Sequence, residues 1–177
     1  MAIFLLFITA CSSDKTNAEL SIFKYNESSG IATLDPAFAK DQATIWATNQ
    51  LFNGLVQLDN KLNVQPSIAK KWSISNDALS YTFILRDDVF FHNNELFEDG
   101  KGRKVVSKDF EYSFSRLLDK DLAAPGAWVL SNVNSFKAKD DSTFSIELKT
   151  PFPAFLSLLS MQYCSVVAKE IVDGGNF

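Results

Sequence analysis

Residues 54–118 constrain the fold more than any other stretch, because strand-type and helix-type patterns follow one another there at short intervals and in one order. Leu55, Val56, Gln57 and Leu58 make a short apolar strand, and Asp59, Asn60 and Lys61 a turn. Pro66 then opens a short helix in its first turn, which carries Ile68 and Ala69 inward and leads to Trp72. Residues 80–86 alternate, with Tyr81, Phe83 and Leu85 on one face and Thr82, Ile84 and Arg86 on the other. Because Ile84 belongs to the second set, both faces of that strand are expected to be partly covered. Ser107 is a good N-cap, and Phe110, Phe114, Leu117 and Leu118 fall at i, i+4, i+7 and i+8, one apolar stripe on a helix of about three turns.

The flanks continue this mixed α/β pattern. Residues 20–25 read as a strand, and Asp35-Pro36 breaks the chain because proline restricts itself and its predecessor. A helix is expected from about Asp41 to Phe52, with Asp41 near its start, where a carboxylate suits the unpaired N–H groups, and Gly54 at its end. Residues 133–138 and 143–149 flank the polar turn Lys139-Asp140-Asp141-Ser142 and form a hairpin. Pro151 and Pro153 stop the second strand, residues 154–160 form a short helix, and residues 163–168 are a last apolar segment, read as a returning strand. There is no internal repeat and no low-complexity tract.

With 177 residues, 46% of them hydrophobic and 21% charged, the chain is long and apolar enough for a real core. The net charge of −4 is modest and the two signs are interspersed, which sets nucleic-acid binding aside. The load of 16 phenylalanines reads as core filling.

Residues 1–10 are too short an apolar run to cross a bilayer and read as the end of a secretion signal. The junction Ile8-Thr9-Ala10-Cys11 looks like a bacterial lipobox, with Cys11 as the lipidated residue and residues 11–19 as lipidated cysteine and polar tether. A signal normally begins with Lys or Arg, and Met1-Ala2-Ile3-Phe4 has neither, which leaves an upstream start open. Only Cys164 would remain unlipidated; it lies in an apolar run and reads as a small core residue without a disulfide partner.

No catalytic motif appears: there is no nucleophile elbow, zinc-binding His-Glu-x-x-His, phosphate-cradling glycine loop or dinucleotide fingerprint. His92, the single histidine, reads as a hydrogen-bonded structural residue at a strand end, with no further ligands spaced for a metal. Glu95, Glu98 and Asp99 read as a solvated acidic cluster in a polar loop. The chain is therefore expected to be no enzyme and to need no cofactor or metal.

A series of short motifs runs along the sequence: Leu34-Asp35-Pro36, Leu51-Phe52-x-Gly54-Leu55, Pro66-x-Ile68-Ala69-x-x-Trp72, Tyr81-Thr82-Phe83-x-Leu85-Arg86, Phe91-His92, Asp109-Phe110-x-Tyr112-Ser113-x-x-Arg116-Leu117 and Pro151-x-Pro153. In order and spacing it resembles the opening part of the family 5 extracellular solute-binding proteins, the oligopeptide, dipeptide and nickel receptors of ABC importers. The resemblance spans residues 34–177. It departs from the family where a compact Asp-Gly turn after Phe91-His92 is expanded across residues 93–103, and residue 177 precedes the Gly-rich segment the family places next.

The resemblance implies an α/β, periplasmic-binding-protein type II-like fold, incomplete, holding part of lobe I plus the small mixed α/β subdomain inserted in it. Residues 20–53 would be the first segment of lobe I, residues 54–160 the small subdomain and residues 161–177 the return toward lobe I. The implied function is a substrate-binding lipoprotein of an ABC importer, capturing an oligopeptide or dipeptide for a permease and ATPase complex at the periplasmic or extracellular face of the envelope, held to the membrane through the Cys11 lipid. The alternatives are a surface lipoprotein that uses the scaffold for adhesion or chaperoning, and a diverged lipoprotein hydrolase. The family lines its cleft with the loop after Leu-Asp-Pro, which here offers Lys40, Asp41 and Gln42 to a zwitterion. It also sends an aromatic residue to the cleft after the Arg-Leu helix, for which Trp128 is the nearest equivalent, while core packing of Trp128 is equally open. Trp46 and Trp72 read as structural.

Overall fold

The computed structural model describes Lys24 and residues 26–175. The strand expected at residues 20–25, the Cys11 junction with its tether, and the signal segment lie outside the described residues.

Four strands form one antiparallel sheet in the order β3-β4-β6-β5, with β3 at Ala69–Ile74, β4 at Ser80–Leu85, β5 at Val133–Ala138 and β6 at Thr143–Leu148. A two-stranded hairpin, β1 at Val56–Leu58 and β2 at Val64–Pro66, precedes it. Helix α2, Ser107–Leu117, packs across β5 and β6. The expected alternation is present in β4, where Tyr81, Phe83 and Leu85 are buried and Thr82 and Ile84 half-buried, and the 133–149 hairpin forms as β5 and β6.

The core is aromatic. Phe110 and Phe114 of α2 sit 5.8 and 5.5 Å from Phe144 of β6, Phe114 lies edge-on to Phe136 at 5.6 Å, and Tyr81 meets Phe155 at 5.1 Å. Phe83, Phe110, Phe114, Phe144 and Phe155 are fully buried. Each such side chain contributes about 1.5–3 kcal/mol relative to an exposed one, which makes this cluster the main source of stability. Trp72 leans on Phe83 at 6.5 Å, whereas Trp46 stays half exposed.

Several expectations need correction. Residues 66–72 are not a helix: Pro66 ends β2, and Ala69 begins β3. A register shift between Ala69 and Lys71 adds one residue to the strand. The bulge lets Ala69 and Trp72 both turn inward although three positions apart, which imitates helical spacing. Ser107 is not the N-cap but the first helical residue; its hydroxyl donates to the Asp140 carbonyl, and the carboxylate of Asp109 accepts the Val106 N–H at 2.8 Å in its stead. Helix α1, Gln42–Leu51, begins behind Asp41 as expected, but it ends in extended backbone at Phe52, and Gly54 is needed for proximity instead. A Cβ there would stand 3.3 Å from the carbonyl oxygens of Cys164 and Leu159.

The short helix expected at 154–160 is α3, Phe155–Leu158. Residues 163–168 do not join a sheet among the described residues. They pass from a 3₁₀ turn, Gln162–Cys164, into a buried extended run whose N–H groups find scattered acceptors: Val166 donates to the Asn53 carbonyl at 3.0 Å and Val167 to the Ser113 hydroxyl at 3.0 Å. The run ends at α4, Lys169–Asp173. Cys164 is buried as expected, and burial pushes its thiol pKa up to about 12. Among the described residues no helix is long and apolar enough to cross a membrane.

Candidate functional site

Two charge networks tie the sheet-bearing region to the segments on either side of it. The Asp35 carboxylate accepts the Ala37 N–H at 3.0 Å, which starts the 3₁₀ turn Pro36–Phe38, and it also takes both terminal nitrogens of Arg116, one at 3.0 Å. Both side chains are mostly buried. The Leu-Asp-Pro and Arg-Leu motifs, 81 residues apart, are thus two halves of one bidentate pair. In the second network Arg103 grips Asp109 at 2.7 and 2.9 Å and Glu170 at 2.6 and 2.9 Å. Its guanidinium also lies 5.1 Å from the centre of the Phe91 ring and 5.9 Å from that of Phe97. These bonds hold the Glu170 carboxyl below its usual range and raise the Arg103 guanidinium, Asp109 being the larger influence on the latter. Arg103 therefore pins the expanded 93–103 loop to α2 and α4, in which Glu95, Glu98 and Asp99 face solvent as expected.

The pairing of Asp35 with Arg116 sets where the next residues stand. Lys40, Asp41 and Gln42 are all exposed at the start of α1. Asp41 caps the helix: its carboxylate accepts the Thr44 N–H and the Thr44 hydroxyl, each at 3.0 Å, and the Thr44 N–H is the main reason its pKa is lowered. The 3₁₀ turn Pro36–Phe38 packs against both Pro125–Leu130 and Gln162–Cys164. The loop carrying Lys40, Asp41 and Gln42 and the segment carrying Trp128 are accordingly neighbours through shared supports.

Tyr163 links them. Its ring lies against Gly126, where a Cβ would fall 2.2 Å from the ring, so only glycine admits this contact. Burial raises the Tyr163 hydroxyl pKa, and the negative charge of Asp41 adds to the rise. Beside it, Gln162 donates its side-chain amide to Asn49 of α1. The contact of Tyr163 with Gly126 was not readable in the sequence: Pro125-Gly126-Ala127-Trp128 stands out there for its tryptophan, and no spacing relates its glycine to a tyrosine far along the chain. Trp128 is 53% exposed, so it is not core. It lines a groove of about 280 Å³ with Asn132, Thr150, Phe152, Phe155 and Leu158.

A second, mostly apolar cavity of about 190 Å³ lies between Leu51, Phe52, Phe91, Phe97 and Val167, with His92 at its rim. His92 is exposed, and no side-chain hydrogen bond among the described residues involves it, which corrects its expected structural role. Among the described residues no group of three or more His, Cys, Asp or Glu could hold a metal ion.

This mixed α/β arrangement matches part of the fold of periplasmic binding proteins. It superimposes on the periplasmic binding protein DppA from Helicobacter pylori in complex with peptide STSA with a TM-score of 0.72 and 31% identity, over 81% of this chain and 30% of that one. The chain belongs to the bacterial extracellular solute-binding proteins, family 5, whose model matches residues 63–177. Among its relatives are the dipeptide-binding protein of Lactococcus lactis subsp. cremoris, 27% identical over 95% of this chain, and the periplasmic murein peptide-binding protein MppA of Escherichia coli K12, 33% identical over 81%. The chain spans 32% and 28% of their respective lengths.

Proposed function

We propose that this chain is part of a substrate-binding lipoprotein of an ABC importer, which captures peptides and delivers them to a membrane permease. The observation that carries the reading is the superposition on a peptide-bound periplasmic binding protein over most of the chain, joined to a local one: the loop of Lys40, Asp41 and Gln42 and the segment of Trp128 share supports at the two 3₁₀ turns and Tyr163. In this reading residues 20–53 and 161–177 belong to lobe I, and residues 54–160 form the small subdomain.

Each residue has a role set by its chemistry. Lys40 offers a cation to a peptide carboxylate and Gln42 an amide to the backbone. Asp41 supplies negative charge near the peptide amino group while it caps α1. Trp128 offers a flat apolar face and one N–H. A ligand charge taken out of water must meet an opposite charge or donors, or desolvation costs several kcal/mol. Closure of the lobes around the ligand is favoured only by as much as the ligand binds the closed state better. The Cys11 lipid holds the receptor at the envelope surface, where more than one acyl chain gives stable attachment.

The test is thermal unfolding of the full-length protein with a panel of di- to tetrapeptides. A ligand-dependent rise in melting temperature is expected. No response to peptides, nickel or sugars would overturn the receptor reading in favour of a scaffold for adhesion or chaperoning.

A further inference from the structure

Gly126 and Tyr163 meet at the root of the tyrosine side chain, not at its tip. A Cβ on residue 126 would stand 2.2 Å from Cδ1, 2.3 Å from Cγ and 2.7 Å from Cβ of Tyr163. A change of rotamer moves the ring but leaves Cβ where it is, so the contact fixes the backbone of the 3₁₀ turn Gln162–Cys164 against the 3₁₀ segment Pro125–Leu130. The Tyr163 hydroxyl takes no part in this, since it makes no hydrogen bond among the described residues. The ring and its attachment set the spacing.

On its other side the turn is tied to α1. Gln162 donates its side-chain amide to Asn49, and the Val166 N–H donates to the carbonyl of Asn53, just past the end of the helix. The carbonyl oxygens of Leu159 and Cys164 come so close to Gly54 that the turn has no slack behind it. Pro36–Phe38, which leads into the Lys40 loop, packs on both the turn and the Pro125–Leu130 segment. The turn therefore stands between the two parts of the candidate site: α1, with Lys40, Asp41 and Gln42 at its start, and the segment that carries Trp128. Close-packed contacts of this kind pass a displacement on and do not absorb it.

We propose that Tyr163 is a positioning residue whose ring, seated on Gly126, sets the span between the Lys40–Gln42 loop and Trp128, and that this span selects the length of the bound peptide. The length selection rests on the peptide-receptor reading; the spacing does not. Two arms test them in the full-length protein. In the first the protein carries 5-fluorotryptophan, with the resonances of Trp46 in α1, Trp72 in β3 and Trp128 assigned by Trp46→Phe, Trp72→Phe and Trp128→Phe. Gly126→Ala, and separately Tyr163→Gly, are each expected to shift the Trp46 and Trp128 resonances and to leave that of Trp72 in place. In the Tyr163→Gly background, where no side chain remains to be displaced, Gly126→Ala is expected to shift Trp128 alone. A fixed Trp46 resonance in the single variants, or the same Trp46 shift from Gly126→Ala in both backgrounds, would overturn the spacer. The second arm measures by calorimetry the affinities for the tightest dipeptide and the tightest tetrapeptide of the panel. Gly126→Ala drives the turn away from Trp128 and widens the span, so it is expected to weaken the dipeptide relative to the tetrapeptide at least about tenfold. Tyr163→Phe keeps the ring and is expected to keep the wild-type preference. An unchanged preference in Gly126→Ala, or a change in Tyr163→Phe as large as in Gly126→Ala, would overturn the length selection. A wild-type protein that binds no peptide of the panel would overturn the receptor reading and the length selection with it, while the fluorine resonances still decide the spacing.

Discussion

The aromatic core of the four-stranded sheet and the segment that precedes the sheet, residues 31–52, use their large apolar residues differently. In the sheet, Phe83, Phe110, Phe114 and Phe144 close on one another with essentially no exposure. In the flanks, Ile31, Leu34, Trp46 and Leu51 are each more than a third exposed. Yet most of the motifs that announce the family lie in the sheet-bearing stretch, and the residues proposed to meet a ligand lie in the flanks or at the junction. Motif density follows packing demand: strand alternation, a bulge, an aromatic stripe and a buried ion pair all limit sequence, whereas a solvent-facing loop such as Lys40, Asp41 and Gln42 is limited mainly by what it binds.

The comparison can be broken in several ways, the largest effect coming from the core. Phe114→Ala should destabilise the protein by about 3–5 kcal/mol in denaturant titration, because Phe110, Phe136 and Phe144 all lose a ring neighbour. Leu51→Ala, in the exposed flank, should cost less than about 1 kcal/mol. Equal costs would erase the distinction. Asp35→Asn should cost about 3 kcal/mol, since it leaves the Arg116 guanidinium mostly buried without its carboxylate partner. A double-mutant cycle with Arg116→Gln should show that the two positions are coupled.

A smaller effect comes from acid. The carboxyl of Glu170 is held low by Arg103, so in the folded state it keeps its charge to lower pH than in the unfolded chain. Its contribution is therefore fully present above the ordinary glutamate value, about 4.3, and is lost as pH falls below it through the folded value. Glu170→Gln should flatten the acid limb of a melting-temperature profile below about pH 4.3 and leave its shape above pH 6 unchanged. The smallest readout is chemical: with its pKa near 12 and no exposure to speak of, Cys164 should resist thiol reagents at pH 8 until the protein unfolds.

Much of the sheet was legible in the sequence because period-2 alternation in β4, the polar turn between β5 and β6 and the stripe of α2 are local signals. β3 was not, since its bulge moved Ala69 and Trp72 onto one face at a helix-like interval. The ion pairs were not legible either: Asp35 with Arg116 and Arg103 with Glu170 join residues 81 and 67 positions apart, and charge alone does not say which partners meet. At the candidate site the exposed position of Lys40, Asp41 and Gln42 was readable from the proline break and the cap. The approach of Tyr163 to Gly126 was not, because a glycine required for contact looks in sequence like a glycine required for a turn.

The most direct test of the division between scaffold and ligand-facing loop is calorimetric titration of the full-length protein with its best peptide from the panel, in three variants. Trp128→Ala should weaken binding about tenfold, or 1.4 kcal/mol, Gln42→Ala should weaken it less, and Thr82→Ala, on the outer face of β4, should leave it unchanged. Wild-type affinity in both Trp128→Ala and Gln42→Ala, or a loss of affinity in Thr82→Ala, would contradict the account.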